Sequence, residues 1–211
     1  MTRTLLIMAR APALGQGKTR LARDAGRLSA LRINRMLQAR TMRFARDTRW
    51  KTVLVVTPER ARGVSLPGVW PRSVRRATQG CGDLGTRLAR AMNRVRGAVA
   101  VIGTDSPEIG ERDIALAFRA LGRAPVAIGP ARDGGFWILA ARRSRDVSRA
   151  FEGVRWSSAH TLADVVARLT VDVVRLRTLD DVDTLEDWRA WRARWRQRCA
   201  AAKLSERGSI G

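Results

Sequence analysis

Two short stretches carry residue types that do phosphate and metal chemistry. The first is "MARAPALGQGKTRLA", Met8 to Ala22, where Gly15 and Gly17 precede Lys18 and Arg20. Glycines let backbone N–H groups approach phosphate oxygens, and a helix starting there adds positive potential. Lys18 and Arg20 supply formal charge. A P-loop needs a glycine five residues before its Gly-Lys pair, and Pro12 stands at that position, so the "GKT" here is not that motif. The second stretch is "VIGTDSPEIG", residues 101 to 110, where an apolar run stops at Asp105. A carboxylate at the end of a buried strand holds a hard cation such as Mg²⁺, which takes one or two carboxylates together with substrate phosphates. The same residue, followed by Ser106 and Pro107, also suits a turn cap.

Three further groups are candidates. "QGCGDLGTRL" offers Gln79, Gly80 and Asp83 before a helical stretch, either against a nucleotide or with Asp83 as the helix cap. "GPARDGGFW" sets Asp133 before two glycines and two aromatics, where it orients or deprotonates an acceptor hydroxyl, or forms a hairpin turn. "DDVDTLEDW" contains Asp181 and Asp183 ahead of Thr184 and Asp187, whose spacing predicts a capping box. Asp183 is then a second metal-ligand candidate.

The elements that must position these residues alternate in period. Strands are predicted at 4–9, 52–58, 98–105, 125–130, 136–141 and 171–176. Helices are predicted at about 20–48, 84–95, 111–121, 158–169 and 184–202. That order predicts an α/β fold with a mostly parallel sheet covered on both faces, and ligands in such sheets bind beyond the carboxyl ends of the strands. At 211 residues one domain is expected over 1–203, with 204–211 as a flexible tail.

Composition narrows the class. The chain carries 41 Lys+Arg against 19 Asp+Glu, a formal +22. Residues 1–104 hold 20 Arg and 2 Lys against 4 acids, and residues 105–211 hold 18 Arg and 1 Lys against 15 acids. Within the first half, where the excess lies, the arginines are scattered without a basic run or interleaved aromatics, so no specific nucleic acid is expected. No apolar run reaches transmembrane length and no signal peptide is recognisable, which predicts a cytoplasmic chain without integral membrane association. Cys81 and Cys199 lie far apart and outside metal-ligand spacing. Trp188, Trp191 and Trp195 recur at helical spacing among arginines. Such a stripe packs on the chain's own core, joins two copies in a homodimer, or lies on a membrane surface. His160 is the single histidine, so a His-based triad has no second one to draw on.

"MARAP…G…KTRLA", "QGCGDLGTRLARA", "VIGTDSPEI", "IGPARDGGFWILA", "FEGVRWSS" and "LRTLDDVDTLEDW" together resemble, in that order, the radical-SAM/selenodomain-associated transferase type 1 family, over about residues 4 to 190. Phe136 and Trp137 stand where that family often has Tyr, and Ser158 where it commonly has Thr. The resemblance implies a single-domain GT-A, nucleotide-diphospho-sugar transferase fold, similar to 2-phospho-L-lactate guanylyltransferase and the molybdenum-cofactor nucleotidyltransferases. It further implies a glycosyl or nucleotidyl transferase using Mg²⁺ or Mn²⁺, a nucleotide or nucleotide-sugar donor and a small-molecule acceptor. The loop from Ala11 through Gly15, Gly17 and Lys18 to Arg20 would hold the donor phosphates, with Asp105 on the metal. Gln79, Gly80 and Asp83 would sit by the base or ribose, and Asp133 with Trp156, Ser157 and Ser158 by the acceptor. A non-catalytic basic module that binds nucleotides or polyanions on the same fold is the alternative.

Overall fold

The structure is a computed structural model describing residues 2–208, with side chains described through Ala202. Its strands are β1 (Arg3–Arg10), β2 (Lys51–Thr57), β3 (Arg75–Thr78), β4 (Ala98–Ile102), β5 (Val126–Pro130), β6 (Phe136–Ala141) and β7 (Val173–Arg175). Its helices are α1 (Thr19–Ala25), α2 (Arg27–Thr41), α3 (Leu84–Asn93), α4 (Glu111–Ala120), α5 (Thr161–Arg168) and α6 (Leu185–Gly208). The seven strands form one sheet in the order β3-β2-β1-β4-β6-β5-β7. Only β6 runs antiparallel to its neighbours, pairing Val101 with Leu139 on one side and Ile128 with Leu139 on the other. The carboxyl ends of the six parallel strands and the start of β6 therefore share one rim.

Alternation along β1 and β4 builds both layers. Leu5, Ile7, Ala100 and Ile102 face Ile114 and Phe118 of α4, whereas Leu6, Val99 and Val101 face Leu88 and Met92 of α3 and Val165 of α5. All five residues of β4 are buried, as expected for a strand covered on both sides. Truncating a residue such as fully buried Leu54 to alanine would cost about 2–5 kcal/mol.

Four sequence expectations are corrected. The single helix predicted at 20–48 is two helices, because Gly26 adopts φ 80°, ψ 154°, and a short 3₁₀ turn closes the segment at Met42–Arg46. β3, "RRAT", was not foreseen: it lies at the sheet edge beside β2 alone and carries no apolar alternation. The α5 helix starts at Thr161, and Ser158 belongs to the turn before it. The last helix runs to Gly208, past the expected start of the tail at 204. Residues 209–211 of that tail lie outside the described residues.

The tryptophan stripe of α6 packs on its own chain. Trp191 is buried against Leu21, Ile33 and Leu37 of α1 and α2. Its ring stacks between those of Trp188 and Trp195, at 5.2 and 6.0 Å, while the Arg40 guanidinium lies 4.2 Å from the Trp195 ring centroid. No helix among the described residues is long and apolar enough to cross a membrane.

Candidate active site

The loop after β1 is built to hold a lysine over the rim. Ala11 N–H donates to Thr57 O at 2.8 Å, anchoring the loop's start on β2. A tight turn pairs Ala13 with Gln16 around Gly15, which has φ +73°. Gly17 and Lys18 then both take left-handed backbone, at φ +70° and +49°. That conformation costs a non-glycine residue roughly 1–2 kcal/mol, so surrounding contacts must enforce it at Lys18.

Those contacts are three oxygens. Lys18 Nζ lies 3.0 Å from Asp105 Oδ1, 2.9 Å from Asp183 Oδ1 and 2.5 Å from the Val182 carbonyl, with 7% of the side chain exposed. Burial alone would lower the ammonium's pKa, but the two carboxylates outweigh it and hold Lys18 above the ordinary lysine value. Arg20 donates to the other Asp183 oxygen at 2.9 Å from a largely exposed position.

Asp183 reaches Asp105 because the chain after β7 crosses the rim. Leu179 N–H donates to Pro130 O and Arg132 N–H to Leu179 O, and Val182 N–H donates to Asp105 O at 2.9 Å. Ser106 Oγ donates to Asp181 Oδ1. Burial, together with the nearby Asp105, Asp133 and Asp183 carboxylates, pushes Asp181 up to about 6, against the lowering effect of the Ser106 bond. The expected Thr184–Asp187 capping box is present: the Asp187 carboxylate accepts from Thr184 N–H at 2.8 Å and from Asp183 N–H at 3.1 Å, fixing the approach to α6.

Two clefts meet at this carboxylate pair. One, about 300 Å³, is lined by Arg10, Gly17, Lys18, Arg20, Asn34 and Gln38 together with Asp105 and Asp183. The other, about 310 Å³, shares Asp105 and Asp183 and adds Leu84, Leu88, Asp133, Phe136, Trp156 and Ser157. Asp133 closes the β5–β6 hairpin as its sequence suggested, with Oδ1 accepting from Gly135 N–H at 2.9 Å. Gly134 is required there: at φ +89°, a side chain would strike Ala159 O, 2.2 Å from an added Cβ. Trp156 packs edge-on to Phe136 at 6.5 Å. Its indole fits against Gly85, where an added Cβ would lie 2.9 Å from Nε1.

The structure therefore brings Lys18, Arg20, Asp105 and Asp183 into one network, with Gly17 in the first cleft and Asp133 in the second. It places Gln79, Gly80 and Asp83 apart from that network: the second cleft reaches Leu84, and neither cleft is lined by any of these three. Gln79 Nε2 donates to the Ala9 and Val55 carbonyls at 3.2 and 3.1 Å, tying β1 to β2. Gly80 adopts φ +75°, with the Arg90 guanidinium occupying the space a side chain would need. Asp83 caps α3, accepting from Thr86 N–H at 2.8 Å, and that bond holds the exposed carboxyl below its usual range. Sequence reasoning missed Asn34 and Gln38. Their signal was two amides one helical turn apart, interrupting the apolar face of α2 beside Ile33 and Leu37.

Donor chemistry decides whether the carboxylate pair fits a divalent cation. Asp105 and Asp183 already place oxygens at nearly equal distances around one cationic atom, Lys18 Nζ. Two carboxylates match what Mg²⁺ takes from a protein when water and phosphate oxygens complete the shell. No group of three or more His, Cys, Asp or Glu arranged for a metal occurs among the described residues. The donor set fits a metal completed by ligand oxygens.

The single-domain α/β architecture, a mostly parallel mixed sheet with helices, is shared with nucleotidyltransferase- and GT-A-like folds. The chain belongs to the bacterial family DUF2064, described as "Uncharacterized protein conserved in bacteria", which matches residues 40–158. That segment includes Asp105, Asp133 and Trp156 and leaves Lys18 and Asp183 outside. No curated protein matches the chain. A Desulfovibrio desulfuricans G20 crystal structure, titled as a candidate nucleotide-diphospho-sugar transferase, is 26% identical with a TM-score of 0.80, over 89% of this chain and 85% of that one. CMP:2-keto-3-deoxy-manno-octonic acid synthetase, solved with CTP, shares the fold at 16% identity and TM-score 0.59, over 94% of this chain and all of that one. Rv0371c from Mycobacterium tuberculosis H37Rv, solved with manganese, shares it at 15% identity and TM-score 0.54, over 90% and 97%.

Proposed function

We propose that this chain is a metal-dependent transferase that takes a nucleotide-activated donor, binds its phosphates in the Lys18 cleft and directs the activated group to a small-molecule acceptor in the Trp156 cleft. The observation that carries this reading is the buried Lys18 ammonium bridging Asp105 and Asp183 where the two clefts meet. Lys18, Arg20 and Arg10 supply positive charge for phosphate oxygens, and Gly17 leaves room beside them. Asp105 and Asp183 would hold Mg²⁺ or Mn²⁺, which when bound neutralises charge on the phosphates. Positioning supplies much of what such a reaction asks of a protein. Across the pair, Asp133 Oδ2 is open to accept the proton of an acceptor hydroxyl, since Oδ1 is engaged by Gly135.

Two observations favour different donors. Three cations in one cleft suit a nucleoside triphosphate and hence nucleotidyl transfer, consistent with the CTP complex of the synthetase neighbour. The 26% identity to the Desulfovibrio protein favours a nucleotide sugar, as does the resemblance to the radical-SAM/selenodomain-associated transferases. We take nucleotidyl transfer as the primary reading, and release of pyrophosphate rather than a nucleoside diphosphate distinguishes it.

Thermal-shift titration with nucleoside triphosphates and nucleotide sugars, with and without Mg²⁺ or Mn²⁺, tests the class. Metal-dependent stabilisation by one donor class, abolished in Asp105→Asn, supports the transferase. Salt-sensitive binding of any polyanion that is indifferent to Asp105 would instead identify a basic binding module.

A further inference from the structure

Behind the Lys18 loop lies a chain of buried amides whose orientation the structure fixes link by link. Trp70, 1% exposed, has an indole N–H that can only donate, and it donates to Gln38 Oε1 at 2.8 Å. Gln38 is 1% exposed, so its oxygen is committed to Trp70 and its Nε2 must face the other way. Nε2 donates to the Arg10 carbonyl and to Asn34 Oδ1, both at 2.9 Å. The carbonyl of Arg10 can only accept, which confirms the assignment from the opposite end.

Asn34 inherits this polarity. Its oxygen is turned toward Gln38, so Nδ2 is the open end of the amide, without a hydrogen-bond partner among the described residues. Asn34 is 8% exposed and lines the cleft that holds Arg10, Lys18 and Arg20. That donor opens to the cleft rather than into the core, so a ligand oxygen delivered to that wall replaces the water it would otherwise bind.

We infer that Asn34 Nδ2 is a ligand-binding donor for a phosphate oxygen of the nucleotide donor, and that Gln38 and Trp70 are positioning residues that hold its amide the right way round. Phosphate is the partner chemistry because the cleft that Asn34 lines also holds the three cations Arg10, Lys18 and Arg20, with the Asp105 and Asp183 carboxylates engaged by Lys18. A neutral amide adds direction where lysine and arginine add charge. Gln38 links the same amide to the Arg10 carbonyl at the root of the Lys18 loop, so donor and loop are set by one network. This inference rests on the proposed donor cleft.

Magnesium tripolyphosphate is the probe, titrated calorimetrically into the full chain, with unliganded melting temperatures as the folding control. Asn34→Asp keeps the shape and still accepts from Gln38, but presents an oxygen to the phosphate. It is expected to bind about 10- to 100-fold more weakly, the worth of a hydrogen bond to a charged group. Gln38→Glu accepts from Trp70 with one oxygen and sets the other against Asn34 Oδ1, turning the Asn34 amide over. Comparable weakening is expected although residue 38 keeps its size. In ¹⁵N spectra of the wild type, the Asn34 side-chain NH₂ pair, assigned by its absence from Asn34→Asp, should shift on adding the probe, a response that a purely structural asparagine would not give.

If Lys18→Ala loses binding while Asn34→Asp binds like the wild type, the donor cleft stands and the Asn34 role is overturned. Wild-type-like binding by Gln38→Glu overturns the positioning role. A wild type that does not bind the probe, or that binds it equally well as Lys18→Ala, overturns the donor cleft and this inference with it.

Discussion

The two clefts that share Asp105 and Asp183 differ in charge more than in size. The first presents Arg10, Lys18 and Arg20; the second, lined by Asp133, Asp181, Phe136, Trp137 and Trp156, contains no Lys, Arg or His among its described lining residues. In a chain of formal charge +22, that second surface is a departure from the average. A uniform excess of arginine produces a diffuse positive field, whereas a cleft walled by three cations beside one walled by none gives these two clefts direction. Anionic ligand parts are drawn to one wall, and a group with an apolar face fits the other.

Removing the shared element should have the largest effect. Asp105→Asn is expected to lower donor turnover on the order of 100- to 1000-fold while the protein still melts cooperatively, checked by product release and calorimetry. Next, Lys18→Ala should separate the ammonium from the divalent cation proposed to share its carboxylates. Without nucleotide, Mn²⁺ followed by electron paramagnetic resonance should bind about tenfold more tightly once the competing ammonium is gone, whereas tripolyphosphate should bind more weakly.

Gly85→Ala attacks the second cleft alone. Its methyl group would press on the Phe151 carbonyl and the Trp156 indole, 2.8 and 2.9 Å from the new carbon. Destabilisation of about 1–3 kcal/mol is expected in urea titrations, with tripolyphosphate affinity unchanged. Salt should sharpen the contrast further: raising NaCl from 0.05 to 0.5 M should weaken polyphosphate binding several-fold, and equal weakening in an uncharged analogue would contradict the division.

The smallest effect concerns the wall beside Trp156. Arg155 donates to Asp164 through its guanidinium at 2.8 and 2.9 Å and through its backbone, holding that carboxyl far below its usual range. Because the folded-state value is depressed, the stabilisation is present above the unfolded carboxylate value of about 3.9 and is lost as pH falls through the folded value. Asp164→Asn should remove a small part of the acid sensitivity of the melting temperature, seen in melts between pH 2 and 5.

Much of the fold was legible because buried strands write continuous apolar runs. The β6 boundaries, Phe136–Ala141, match the sequence reading, and β4 was foreseen with its carboxyl end at the rim. β3 was not, since an edge strand of "RRAT" buries too little to leave a pattern. In the site, Asp105 was legible as a carboxylate just past a buried strand and Lys18 as a cation on the glycine loop that opens a helix. Gln79, Gly80 and Asp83 drew attention by type, yet the structure uses them to join strands, admit Arg90 and cap α3.

By itself, the sequence determined the alternating α/β order, the cationic glycine loop, the carboxylate at the end of β4 and the capping box before α6, because each depends on a few neighbouring residues. Only the tertiary structure decided that Lys18 bridges Asp105 and Asp183, whose partners lie 87 and 165 positions away, and that the Trp70–Gln38–Asn34 series turns one amide into the cleft. The physical reason is that a buried charge or amide is defined by which distant groups satisfy it, and local spacing does not record them.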